Sequence, residues 1–213
     1  MAILNTGLAK SAAVDTYTID NSLRINDDDA AYLEKAYPAS GNRLTWTFSC
    51  WSKVTEIGVG PQPLFSGVGE AGGRAGWFEW TSTNQLQFTE FDWSSYQATV
   101  KTSAIYRDPA SWYHVMVVYD SPQDVASDRV KLYVNGEHIT QLASTTYPAE
   151  DYAGSIGYGN GVRKTTLGRN DATGDNADCY IAEAYYIDGT ALAADSFGEL
   201  DSTTNQWKPL DSD

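Results

Sequence analysis

Long apolar runs, signal sequences and cysteines are scarce or absent in this chain of 213 residues. No apolar run reaches the roughly 18 residues of a membrane-spanning helix, so we expect no membrane insertion. The start, "MAILNTGLAK", has no basic region followed by an apolar region, so we expect no signal peptide. The two cysteines, Cys50 and Cys179, fall in predicted strands and are interpreted as two buried free thiols, or as a disulfide if those strands are neighbours.

Basic residues are also few, with 14 against 28 acidic residues and a formal net charge of −14. Such a surface repels phosphate backbones, so we expect no nucleic acid partner. The acidic excess favours solubility, and it also suits high salt or divalent cations.

Helical periodicity is almost absent, whereas short strand patterns recur along the chain. In "LTWTFSCWSKV" (44–54), Trp46, Phe48 and Cys50 share one face and alternate with hydroxyl residues, which is typical of a half-buried strand. The segment "WYHVMVVYD" (112–120) is apolar on both faces, so we expect it deep in the stack of sheets.

The remaining elements are also predicted to be short strands joined by turns. In "RVKLYVNGEHI" (129–139), Asn135 and Gly136 supply a two-residue hairpin turn. Further strands are predicted at 14–19, 22–25, 75–81, 85–91, 97–105, 163–168 and 180–187. One helical turn is predicted around 193–197. Because no linker, repeat or low-complexity tract occurs, the sequence predicts one all-β domain, a sandwich or a barrel.

The order of these segments resembles a known fold. The motifs, in chain order, are "TFSCWSKV", "WYHVMVVYD", "RVKLYVNGE", "TTLGRN" and "YIAEAYYIDGTAL". They resemble the concanavalin A-like jelly roll, and more narrowly its laminin G and pentraxin-like branch. The resemblance implies an antiparallel β-sandwich jelly roll over 1–213, with an N-terminal arm at 1–13 and a C-terminal tail at 195–213 packed on the sandwich.

Three motifs, "YRDPASWYHV", "IDGTAL" and "DSFGELDSTTNQWKP", resemble a narrower group, the tailed-phage virion proteins. Those proteins, often marine, carry this jelly roll in head decorations or tail fibres. The resemblance implies a non-enzymatic virion protein, either capsid decoration or fibre module, at the virion surface. Its partners would be other virion proteins and further copies of itself. Phe197 and Trp207 are expected to pin the tail to the sandwich, although Trp207 could instead dock on a neighbouring subunit.

Catalytic patterns are incomplete. Enzymes of this fold hydrolyse β-glucans with acids spaced E-x-D-x-(x)-E on one strand. Glu90 and Asp92 match the first two positions, but Ser94 and Ser95 follow where a third acid is needed. No nucleophile elbow, CxxC or HExxH pattern is present. We therefore expect no enzyme, with a glycoside hydrolase as the weakest alternative and a free-standing lectin as the stronger one.

Aromatic residues beside polar ones indicate possible glycan contacts, since sugars pack their C–H faces on flat rings. The segments "GWFEWTST" and "FDWSSY" supply the candidates Trp77, Trp80, Asp92, Trp93 and Tyr96. Because Trp77 and Phe78 are adjacent on one strand, they face opposite ways and one of them is expected in the core.

An acidic loop is the candidate metal site. The segment "GRNDATGDNADCY" (168–180) gathers Asp171, Asp175, Asn176 and Asp178, and calcium favours such clustered oxygen ligands. The sequence thus suggests a calcium site here, although a solvated acidic turn has the same composition.

Overall fold

Two antiparallel sheets packed face to face form the protein, and the computed structural model describes residues 17–70 and 73–210. Two short 3-10 turns, Ala126–Asp128 and Ala194–Ser196, accompany the strands in these ranges. No helix in the described ranges is long and apolar enough to cross a membrane. The predicted all-β antiparallel sandwich is confirmed, and so is the helical turn near the C-terminus.

The back sheet has six strands, numbered here in chain order. From edge to edge they are β1 (Leu23–Ile25), β13 (Cys179–Asp188), β3 (Thr45–Val54), β8 (Tyr113–Asp120), β9 (Val130–Val134) and β10 (Glu137–His138). The β9–β10 connection is the predicted hairpin, with Asn135 and Gly136 both at positive φ.

The front sheet has seven strands. They are β11 (Leu142–Thr146), β7 (Ser95–Thr102), β6 (Leu86–Asp92), β5 (Arg74–Trp80), β4 (Gln62–Val68), β12 (Lys164–Leu167) and β2 (Leu33–Ala36). A separate hairpin of β14 (Gly198–Leu200) and β15 (Trp207–Pro209) ends the described chain.

The core between the sheets is built from aromatic stacking. Trp46 stacks on Tyr119 with centroids 5.4 Å apart, and Phe48 stacks on Phe65 at 4.2 Å. Trp46, Phe48 and Cys50 are at most 1% exposed, which confirms the core face predicted from their alternation. Full burial of a side chain such as Phe48 stabilises the fold by roughly 1.5–3 kcal/mol.

The outer face of the back sheet is buried as well, which explains why β8 is apolar on both sides. Met116 and Val118 point away from the main core and pack against Ala194 and Phe197 in a second, smaller core. The polar Thr47 on this face accepts from the Leu192 N–H and donates to the Thr190 carbonyl. The chain after β13 therefore covers the back sheet and satisfies the buried hydroxyl of Thr47.

Trp207 anchors this cover to its own chain. Its ring lies between Gly198 and Gly136, where a Cβ would collide with it on either side. It also lies 5.8 Å from the buried ring of His114. The tail is therefore held by an aromatic ring that fits because the residues on either side of it have no Cβ.

The two cysteines, Cys50 and Cys179, lie on the neighbouring strands β3 and β13. Both are buried and free. The interpretation as two buried thiols is therefore confirmed, and the proximity of their strands does not produce a disulfide.

Some strand predictions differ from the structure. Residues 17–19 of the predicted strand 14–19 are not a strand, and its residues 14–16, like the arm 1–13, lie outside the described residues. Conversely, β2, β4 and β11 were not predicted. β4 contains Pro63 and Gly67 and a register shift against β5, which together break the alternation that marks a strand.

Adding one methyl group at Gly198 tests the Trp207 anchor. The new Cβ would lie 2.5 Å from Trp207 Cε2, so we expect Gly198→Ala to lower the free energy of unfolding by about 1–3 kcal/mol. In a Trp207→Ala background the same change should cost little, because the ring it displaces is gone.

Urea unfolding of the two single variants and the double variant measures this coupling. Gly60→Ala is the control, since its backbone φ is not positive and a Cβ there meets nothing within 4 Å. Additive costs of Gly198→Ala and Trp207→Ala would contradict the anchor.

Candidate functional site

A groove with a volume of about 500 Å³ crosses the outer face of the front sheet; we call it the front groove. Its floor is one cross-strand row, in which Val68 pairs with Ala75 and Ala75 pairs with Phe91. Its lining comprises Tyr32, Glu34, Val68, Gly73, Arg74, Ala75, Phe91, Val162, Arg163, Lys164, Asp171 and Ala172. An apolar floor with polar walls is the usual composition of a small-ligand site.

Two exposed aromatic rings stand at one side of this groove. Trp93 and Tyr96 are each 62% exposed. Tyr96 contacts the floor residue Phe91 edge to face, with centroids 5.3 Å apart. Trp93 sits in the β6–β7 turn with φ of 54°. Its backbone N–H donates to the Gly73 carbonyl at 2.8 Å, and its indole ring lies over Gly73. The turn therefore fixes an exposed indole beside the groove.

Trp77 lies on the same outer face, two residues along β5 from Ala75. It is half-buried, and its side chain hydrogen-bonds the carboxylate of Glu79. Burial raises the pKa of Glu79 to about 7, an effect that the hydrogen bond from Trp77 partly opposes. The opposite orientation of Trp77 and Phe78 is confirmed, since Phe78 is fully buried.

Trp80 is a correction to the predicted glycan set. It is 3% exposed, packs against Tyr106 and Tyr113, and donates its Nε1–H to Ser52 Oγ at 3.2 Å. The cause is strand parity: Phe78 faces the core, so Trp80, two residues on, faces it too. Trp80 therefore supports the sandwich and offers no surface to a sugar.

Most charges around the front groove are paired. Lys164 Nζ lies 2.6 Å from Glu34 Oε1, and Arg169 Nε lies 2.8 Å from Asp171 Oδ1. Arg163 lines the groove without an ion pair among the described residues. The walls thus present fixed hydrogen-bonding groups of both signs.

Glu90 points into the sandwich, and Asp92 does not line the front groove but pairs with Arg74, which does. Arg74 donates to the hydroxyl of Tyr152 at 2.6 Å, and Tyr152 donates to Asp92 Oδ2 at 3.1 Å. Glu90 is 1% exposed and accepts a hydrogen bond from Ser155. The loop carrying Tyr152 and Ser155 therefore closes this end of the core over both acids.

Burial raises the pKa of Glu90 to about 7, while the hydrogen bond from Ser155 and the charges of Arg74 and Arg43 oppose the rise. A raised carboxyl pKa is a frequent mark of catalysis, but here the group has no exposed surface from which to reach a substrate. Its effect is on stability.

The four predicted calcium ligands do not converge on one point. Asp171 lines the front groove and binds Arg169, whereas Asp175 accepts from Thr173 Oγ1 at 2.5 Å and borders a different cavity with Asn176. Asp178 pairs with Arg24. Among the described residues no group of three or more acidic, histidine or cysteine side chains is placed to hold a metal. The donor set here does not fit a calcium ion.

The groove's floor and far wall were missed from sequence. Phe91 was inside the predicted strand 85–91, and counting alternate positions from a core Phe88 would have placed it on the outer face. Lys164 and Glu34 carried no such indication, because they meet only through the pairing of β12 with β2.

A family model described as "Concanavalin A-like lectin/glucanases superfamily" matches residues 26–195. A search of curated protein sequences gives no match.

Solved structures of the same architecture are similar at low identity. Domains LG4-5 of the mouse laminin α1 chain give a TM-score of 0.56 at 13% identity, covering 94% of this chain and 48% of that one. The Ruminococcus gnavus IT-sialidase CBM40 gives 0.50 at 18%, covering 77% and 92%. The heptameric SAP-like pentraxin of Limulus polyphemus gives 0.50 at 13%, covering 80% and 72%. This chain therefore spans about half of the laminin fragment, and the likenesses show the shared fold.

The buried Glu90 predicts a specific pH dependence of stability. Its pKa is about 7 when folded and near 4.5 in the unfolded chain, so the folded state holds the proton more tightly. The free energy of unfolding should therefore fall as pH rises from about 4.5 to 7, by up to about 3 kcal/mol from this group.

Glu90→Gln should remove the part of the pH dependence of the unfolding free energy that is due to Glu90, and leave the part due to Glu79. Urea unfolding at a series of pH values measures it, with the exposed Glu70→Gln as control. An unchanged slope in Glu90→Gln would contradict the assignment.

Proposed function

The chain belongs to the concanavalin A-like lectin/glucanases superfamily, and on that basis we propose that it is a non-catalytic carbohydrate-binding module. The glycan lies in the front groove, beside Trp93 and Tyr96. The observation that carries this proposal is the pair of exposed aromatic rings fixed next to a groove with an apolar floor.

Exposed aromatic rings suit sugar binding because the C–H face of a pyranose packs on a flat apolar surface. Phe91 and Tyr96 meet edge to face, so Tyr96 is held in position before any ligand arrives. The paired Lys164 and Glu34 across the groove offer hydrogen bonds of both polarities to hydroxyl groups. Such a shallow contact is weak for one copy and becomes strong when many copies act together.

The placement of the acids supports binding without cleavage. Glycoside hydrolysis needs two carboxyl groups that flank the scissile bond. Glu90 and Asp92 instead lie under the loop of Tyr152 and Ser155. The acids that do line the groove, Glu34 and Asp171, are held in ion pairs.

A second candidate function is a structural role in a phage virion, as capsid decoration or fibre module. The observation that favours it is the ordered tail: the segment "DSFGELDSTTNQWKP", which carries the resemblance to tailed-phage proteins, folds as a hairpin on the back sheet. In that role the protein lies on the virion surface, contacts other virion proteins and its own copies, and leaves the front groove free for glycans.

Truncating the exposed rings tests the glycan site. We expect Trp93→Ala and Tyr96→Ala each to weaken retention on an immobilised glycan panel by about tenfold, which corresponds to ~1.4 kcal/mol of lost stacking. Affinity chromatography with circular dichroism of each variant measures this. Val59→Ala and Val125→Ala remove exposed apolar side chains elsewhere and should change nothing. Equal retention of all four variants would contradict the site.

Binding of the labelled protein to stripped virus particles and to intact host cells separates the two functions. The virion role predicts binding to particles that Trp93→Ala leaves intact. The lectin role predicts binding to cells that free sugar abolishes and that Trp93→Ala weakens. Binding to neither would contradict both.

A further inference from the structure

A second cleft, with a volume of about 660 Å³, lies between the C-terminal hairpin and the β9–β10 turn; we call it the hairpin cleft. It shares no residue with the front groove. Its walls combine two indole rings, Trp112 and Trp207, with the amides of Asn135, Asn205 and Gln206.

The two indoles are fixed in different ways. Trp112 is 36% exposed and its ring meets Tyr180 edge to face, with centroids 6.5 Å apart. Trp207 is fixed between Gly136 and Gly198, and its Nε1–H has no acceptor within the described part of the chain. Because Trp207 is enclosed between these glycines, the exposed Trp112 is the ring on which a ligand can pack, and a ring already held in place loses little entropy on binding.

The amides supply donors and acceptors together. Asn135 Oδ1 accepts from the His114 backbone N–H at 2.9 Å, which orients the side chain and leaves its NH₂ group for a ligand. Asn205 and Gln206 are exposed on the hairpin, and their side-chain amides have no hydrogen-bond partner within residues 17–70 and 73–210. Flat rings beside amide groups match the two faces of a sugar, its C–H surface and its hydroxyl edge.

The charges of the cleft indicate which sugars fit. Within the described part of the chain its one charged lining residue is Glu137, and the nearby Lys208 is already 3.0 Å from Glu199. No lysine or arginine of the described residues lines the cleft, so it offers no direct cation to a carboxylate or sulfate, and the net charge of −14 repels anionic polymers. Neutral pyranose units are the matching class of ligand.

The hairpin cleft and the front groove lie on opposite sides of the sandwich. Trp112 precedes Tyr113, which pairs with Ser52 near the end of β3, and the same Ser52 binds Trp80 at the end of β5. The front groove is at the other end of β5, at Arg74, and on the outer face of the other sheet. One molecule can therefore hold two glycan chains without their meeting.

We propose that the hairpin cleft is a second carbohydrate site, which takes neutral pyranose units stacked on Trp112. Together with the front groove it makes the protein bivalent, a consequence that rests on the proposed function. The cleft itself does not depend on the front groove, because the two share neither residues nor strand ends.

Calorimetric titration with neutral oligosaccharides of glucose, galactose and mannose tests the proposal, with an acidic oligosaccharide as the comparison. The full chain should bind two equivalents of at least one of these neutral oligosaccharides. Trp112→Ala should reduce this to one, and Trp93→Ala should independently remove the other. Gln206→Ala, an exposed change that spares the fold, should weaken the cleft site about tenfold, or ~1.4 kcal/mol.

The outcomes separate the two sites. Binding of one equivalent that Trp112→Ala and Gln206→Ala leave unchanged overturns the hairpin cleft and leaves the front groove standing. Binding that Trp112→Ala abolishes and Trp93→Ala spares supports the cleft and overturns the front groove. A preference for the acidic sugar at the Trp112 site overturns the assigned ligand class, and no binding overturns both sites.

Discussion

The ring of Trp207 holds the C-terminal hairpin on a sheet face that would otherwise expose Met116 and Val118 to water. Because that face is covered, β8 can be apolar on both sides and still lie in a stable sheet. The cover also decides which surfaces remain open. With the back sheet occupied by its own chain, the front sheet keeps a free outer face, and a cleft is left along the hairpin.

The loop of Tyr152 and Ser155 closes one end of the sandwich and buries a carboxyl group there. Glu90 lies opposite Gly76, where a Cβ would be 2.5 Å from its Oε2, so the acid occupies space that a side chain would otherwise fill. Burying a carboxyl group in this way costs stability at neutral pH. The hydrogen bond from Ser155 and the charges of Arg74 and Arg43 offset part of that cost.

Alternation along single strands could be predicted from sequence, whereas contacts between distant strands could not. The pattern of 44–54 correctly placed Trp46 and Phe48 in the core, and the Asn135-Gly136 turn was correct. The prediction for Trp80 was wrong because Trp80 lies two residues from Phe78 and so shares its core face, although polar residues follow it in the sequence. The calcium prediction rested on acidic residues that are close in sequence. In the structure their side chains do not converge, because Asp171, Asp175 and Asp178 bind separate partners. The groove wall at Lys164 and Glu34 depends on pairing across 130 residues, which no local pattern reveals.

The two proposed binding faces on one small sandwich would each make only a weak single contact. A ring such as Trp93 or Trp112 contributes little on its own, since each lies at the surface and desolvates one side. Effective concentration supplies the rest when many copies of the protein act together. In the proposed role the net charge of −14 favours neutral chains, because it repels acidic polymers. A rigid sandwich suits the proposed role, since neither face must reorganise for the other to bind.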